Sequence, residues 1–162
     1  EAGGAVFESE PPRRRLRVLL VDDQAMVLKA SASMLRELDV VTATSGAEAL
    51  ARLAEGSHFD VVVSDVTMPG ITGPELFVQI RDLYPHLAEK MLLVSGDSYG
   101  AGLACQAVAR RERIPTMPRI LDKPVPRDEL VRAIKALGQR SLPRSGTFAL
   151  DDTQPLTPAR AK

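Results

Sequence analysis

Five side chains stand where they could act together. Asp22-Asp23 follow the apolar run Val18-Leu19-Leu20-Val21, Asp65 closes the run that begins Val61-Val62-Val63, Ser95 and Gly96 follow Met91-Leu92-Leu93-Val94, and Lys123-Pro124 follow Ile120-Leu121. Three clustered carboxylates with room for water suit a hard divalent cation, and a site with few protein ligands that keeps several waters suits Mg²⁺. A carboxylate beside such an ion, with a hydroxyl and an ammonium to hold further oxygens, suits transfer of a phosphoryl group, which depends mostly on positioning and charge neutralisation. Asp65, between the acidic pair and the Ser-Lys pair, is the natural nucleophile. Each residue also has a plain explanation. Asp22 or Asp23 could cap a helix, Asp65 before Met68-Pro69-Gly70 and Ser95-Gly96 could be turn chemistry, and Lys123-Pro124 could be a surface lysine before a helix-start proline. Jointly those explanations gather three mutually repelling carboxylates at one rim by accident.

The elements that would place these residues follow from the hydrophobic pattern. The apolar runs, with Val40-Val41 as a further one, are continuous rather than alternating, as in parallel strands covered on both faces. Between them lie stretches with helical spacing: Val27, Met34, Leu35 and Leu38; Ala47, Leu50, Ala51 and Ala54; Leu76, Ile80 and Leu83; Leu103, Ala104, Ala107 and Val108; Leu130, Ile134 and Leu137. Ser45 with Glu48 forms a capping-box signature, and Gly56 and Gly138 stand where helix C-caps belong. Successive strand-helix units predict a doubly wound α/β domain over residues 16–138, a five-stranded parallel sheet in the order 2-1-3-4-5 with helices on both faces. In such a sheet ligands bind at the carboxyl ends of the strands, where the five side chains fall, while the second strand, ending near Thr44-Ser45, offers nothing comparable.

A chain of 162 residues allows one such domain plus flanks, at about 100 to 200 residues per domain. Lys plus Arg at 21 against Asp plus Glu at 21 leaves no net charge to steer the molecule toward nucleic acid or anionic lipid. The single Cys105 excludes an internal disulfide and a multi-cysteine zinc site, and it reads as a small core or boundary side chain. That cysteine poverty, with no apolar run long enough for a membrane span, predicts a cytoplasmic segment without membrane contact. The first residue is Glu1 rather than methionine, so the chain reads as a piece of something longer. Residues 1–15, with Pro11-Pro12 and Arg13-Arg14-Arg15, read as a linker, and 139–162, with Pro143, Pro155 and Pro158, as a disordered tail.

The ordered set Asp22-Asp23, Ser64-Asp65-Val66-Thr67-Met68-Pro69-Gly70, Ser95-Gly96 and Lys123-Pro124 resembles the receiver domain of two-component response regulators over residues 16–138. The resemblance implies phosphorylation of Asp65 by a phosphohistidine donor. It implies Mg²⁺ held by Asp23, Asp65 and the backbone carbonyl of Thr67, with Asp22 acting mainly through water. It further implies a switch role for Ser95, pairing of Lys123 with the phosphoryl group, a cis bond before Pro124, and as partners a histidine kinase or its phosphohistidine domain and a downstream phosphotransfer or effector protein. Receivers usually carry Tyr or Phe three residues before the lysine; here the switch position is Ile120, which puts the usual aromatic rotation in doubt. The stretch Arg110 to Pro118 reads as an enlarged helix-to-strand connection.

That altered region resembles receivers fused behind sensor kinases, and Gly3 to Glu8 followed by Pro11-Pro12 is similar to the last strand of a histidine-kinase ATPase domain; the resemblance implies a hybrid sensor histidine kinase as parent. A stand-alone regulator is the alternative. A Mg²⁺-dependent aspartate-nucleophile phosphohydrolase of the haloacid dehalogenase type would place Asp-x-Asp on its first motif strand, where this chain has adjacent aspartates. A flavin-binding version would need a phosphate-cradling loop that is absent after the first strand. A non-phosphorylated interaction module would have no use for so complete a site. His58 and His86 are isolated and near turns, so neither reads as a metal ligand or phosphohistidine.

Overall fold

The structure, a computed structural model, describes residues 14–140. The upstream stub, most of the linker and nearly all of the tail expected from the sequence lie outside these residues. Five strands form one all-parallel sheet: β1 (Arg17–Val21), β2 (Asp39–Ala43), β3 (Val61–Asp65), β4 (Met91–Ser95) and β5 (Arg119–Asp122), in the spatial order β2-β1-β3-β4-β5. The connections carry α1 (Ala25–Met34), α2 (Gly46–Ala54), α3 (Gly73–Leu83), a short α4 (Pro85–Ala88) and α5 (Ser98–Glu112), and α6 (Arg127–Gly138) follows β5. This is the doubly wound arrangement expected from the continuous apolar runs.

Alternate side chains of the strands enter two separate cores. Leu19, Val21, Val62 and Leu93 pack with Leu53, Leu76, Phe77 and Ile80 beneath α2 to α5. Val18, Leu20, Val61, Val63, Leu92 and Val94 pack with Leu28, Leu130 and Ile134 beneath α1 and α6. Because the sheet is buried on both faces, a strand residue cannot be polar without a partner, and polar side chains collect at the strand ends.

Several local readings change. Leu35 to Leu38 continue beyond α1 as turns, although Leu35 and Leu38 are buried as the spacing suggested. The short α4 has no counterpart in the apolar pattern. Glu48 does not close a full box on Ser45: its carboxylate accepts from the Thr44 N–H and hydroxyl, one residue earlier, while Ser45 accepts from the Glu48 N–H. Gly56 follows the end of α2 with φ +77°, as expected of a helix-terminating glycine. Gly138 is instead the last residue of α6, where a Cβ would press on Leu16 at 2.7 Å. The Arg110–Pro118 connection is shorter than expected, because α5 runs on through Glu112 and ends on Arg113 in the left-handed region. On α5 the buried residues are Ala101, Cys105 and Val108, whereas Leu103, Ala104 and Ala107 face outward.

Candidate functional site

The sheet register brings the site together. Val21 pairs with Ser64, so the residue after β1 reaches the level of Asp65; Asp65 pairs with Val94, and Ser95 with Asp122, so Lys123 leaves β5 at the same rim. Residues far apart in the chain thus converge because all five strands point the same way.

Oxygens of Asp22, Asp23 and Asp65 lie within 4.8 Å of one another, making a group that could hold a metal ion. Asp22 and Asp65 are buried and Asp23 is exposed, so the cluster opens to water on one side. Lys123 Nζ stands 2.8 Å from Asp22 Oδ2 and 3.0 Å from Asp65 Oδ1. The other Asp22 oxygen accepts from the Gln24 N–H at 2.9 Å, which fixes the turn into α1. Gln24, not an aspartate, occupies the N-cap position of that helix. The acidic pair is therefore not spent on capping.

Burial raises the Asp65 pKa above the ordinary carboxylate range. The hydrogen bond and charge of Lys123 oppose that rise, and the charges of Asp22 and Asp23 add to it. Burial alone would lower the pKa of Lys123, but the hydrogen bonds to Asp22 and Asp65 and the charges of both carboxylates together outweigh it and push the ammonium up. The lysine thus stays charged and offsets part of the acidic repulsion. An all-carboxylate donor set with an exposed side fits a hard, partly hydrated cation such as Mg²⁺.

Ser95 lies at the rim but does not bond the cluster. Its hydroxyl accepts from the Asp97 N–H and donates to the Asp97 carbonyl, each at 3.0 Å, while its own carbonyl accepts from the Lys123 N–H at 2.8 Å. Thr67 is exposed two residues beyond Asp65, the Lys123–Pro124 peptide is cis, and Ile120 is half-buried against the core. Sequence reasoning missed the start of α3, where Thr72 and Glu75 form a complete capping box with Pro74 in the first turn. The Thr-x-x-Glu spacing was the available signal.

The chain matches the family described as response regulator receiver domain over residues 18–135. It is 28% identical over 123 residues to Protein PilG of Pseudomonas aeruginosa, covering 75% of this chain and 86% of that protein. It is 34% identical over 166 residues to the virulence sensor protein BvgS of Bordetella bronchiseptica, covering 98% of this chain but 13% of that protein. The structure of response regulator TrrA from Thermotoga maritima, solved in complex with Mg²⁺ and BeF, superposes with a TM-score of 0.61 at 29% identity, covering 75% of this chain and 98% of that one. With the fold and the rim of acidic residues, these matches define the class: the chain belongs to the response regulator receiver domain family of two-component signalling.

Proposed function

We propose that residues 16–138 accept a phosphoryl group from a phosphohistidine onto Asp65. The observation that carries this reading is the convergence of Asp22, Asp23 and Asp65 around one point with Lys123 bridging two of them. An Asp65 carboxylate oxygen attacks phosphorus, the P–O bond forms as the P–N bond breaks, and the imidazole nitrogen keeps the electron pair. Lys123, already charged and beside Asp65, is placed to pair with an oxygen of the incoming group. Asp22, Asp23, Asp65 and the carbonyl of Thr67 are the residues that would hold Mg²⁺, which when bound supplies neutralisation of the phosphoryl charge. Ser95 would exchange Asp97 for the phosphoryl group, biasing the loop before α5 between two arrangements. Ile120 leaves any such switch without an aromatic partner. The domain itself supplies the phosphotransfer site.

The match to BvgS along nearly the whole chain supports a hybrid sensor histidine kinase as parent, with a histidine kinase or phosphohistidine domain as donor and a phosphotransfer or effector protein downstream. A cytoplasmic setting follows from that donor. Asp65→Asn and Asp65→Ala are expected to abolish labelling by acetyl phosphate or a phosphorylated kinase. Labelling that persists in either variant would remove the assignment.

A further inference from the structure

Ser64 is a fully buried hydroxyl in a strand of valines, and the phosphoryl chemistry gives it no task. A β-branched apolar residue would suit the position better on strand propensity and burial alone. Its hydroxyl donates to the carbonyl oxygen of Asp65 at 2.9 Å. The same carbonyl is also closely approached by Gly73. A Cβ on the buried Gly73 would lie 2.4 Å from Asp65 O and 3.0 Å from both the Val66 Cα and Leu93 Cδ2. Two of those three obstacles are backbone atoms, which cannot swing aside as a flexible side chain could.

Gly73 is also tied to this turn by hydrogen bonding. Its N–H donates to Val66 O at 2.9 Å, and the Val66 N–H continues the ladder to Val94 O at 2.9 Å. The Thr72–Glu75 capping box and Pro74 set where α3 begins, and so set how closely Gly73 approaches.

We propose that Ser64 and Gly73 are positioning residues for Asp65: the Ser64 hydroxyl and the bare α-carbon of Gly73 together fix the peptide from which the Asp65 carboxylate projects. The inference rests on the reading of Asp65 as phosphoryl acceptor. Ser64 holds the carbonyl oxygen, Gly73 lets the start of α3 close against it, and the carboxylate of Asp65 is aimed at the rim without searching. Small misplacements of reacting atoms are costly; of the groups that would hold Mg²⁺, Asp65 and the Thr67 carbonyl lie at or just beyond this peptide, whereas Asp22 and Asp23 stand on another strand end.

The test compares the full wild-type chain with Ser64→Ala and Gly73→Ala, measuring Asp65 labelling by acetyl phosphate at saturating Mg²⁺. Ser64→Ala is expected to lower the limiting rate about 10-fold, as loss of alignment does. Its half-saturating concentration of acetyl phosphate should stay within about twofold of wild type, because binding of the donor is not what the hydroxyl supplies. Gly73→Ala is expected to lose more; if it does not fold, Ser64→Ala alone decides. A Ser64→Ala variant that labels at the wild-type rate overturns the proposal. So does one whose slower labelling is accompanied by a matching rise in half-saturating acetyl phosphate and a fall in melting temperature, since that pattern describes a merely structural hydroxyl. A wild-type chain that never labels removes the acceptor reading and this proposal together; a labelled wild type with an unimpaired variant removes only the proposal.

Discussion

At the scale of single residues, Lys123 carries the charge balance of the site. One ammonium faces the carboxylates of Asp22 and Asp65, and Asp23 adds a third negative group nearby. Removing one member of a fully buried pair costs about 3–5 kcal/mol; the Lys123 side chain is 28% exposed, so Lys123→Ala should cost less, about 1–3 kcal/mol, in metal-free solution. The same substitution leaves the carboxylates without their internal cation. The rise in melting temperature on adding Mg²⁺ should therefore be larger in Lys123→Ala than in wild type. Melting curves with and without the metal check this, and an unchanged increment would show that the ammonium and the metal do not share those oxygens. The residue types of this cluster were legible in the chain because each follows an apolar run. The hydrogen bonds of Ser95 to Asp97 were not, because a hydroxyl's choice of partner depends on a side-chain rotamer and on backbone several residues away.

At the scale of elements, the end of the sheet opposite the site has its own anchor. Asp60 is buried just before β3 and accepts from the Arg17 N–H at 2.7 Å, from Arg14 at 2.8 Å and from His58 at 3.0 Å. These bonds tie β1 to β3, and the Arg17 guanidinium lies 5.3 Å from the Phe59 ring centroid. Burial works against ionisation of Asp60 more strongly than any single opposing contact. The Arg17 N–H, His58 and Arg14 together outweigh it and hold the pKa below the ordinary range. For a carboxylate depressed in the folded state, the stabilisation is present above the unfolded value of about 3.9 and is lost as pH falls through the folded one. Asp60→Asn should thus cost about 1–3 kcal/mol at neutral pH, with the gap to wild type closing at acid pH. Thermal melts across that range check the sign; a gap that stays constant down to the acid limit would contradict it. Elements also show where sequence periodicity loses its grip. In α5, glycines and alanines at 100, 101, 102, 104, 107 and 109 stand on both sides of the helix, so apolar spacing does not single out a buried face. Packing buried Cys105 and left Tyr99 and Leu103 exposed.

At the scale of the whole molecule, two cores cover the two faces of the sheet, and the candidate site lies at the carboxyl ends of its strands. Among the described residues no helix is long and apolar enough to cross a membrane. A ligand that binds only the folded chain stabilises it by about 2.7 kcal/mol at a hundredfold excess over its dissociation constant. Millimolar Mg²⁺ should accordingly raise the melting temperature of wild type, and the shift should shrink in Asp23→Asn. A melting temperature indifferent to the metal would count against the whole acidic rim as a cation site. We propose that residues 16–138 form the cooperative unit that responds, which the family match over 18–135 supports.

The amino-acid sequence by itself determined the layered α/β class and which residues lie just past each strand. Unbroken apolar runs demand burial on both faces, and parallel strands deliver their carboxyl ends to a common rim. Tertiary structure alone decided that Lys123 lies between Asp22 and Asp65, that Ser95 turns to Asp97, and that a glycine and a buried serine enclose the Asp65 carbonyl. Such choices rest on separations of a few ångströms between segments distant in the chain, and no local pattern of residue types encodes them.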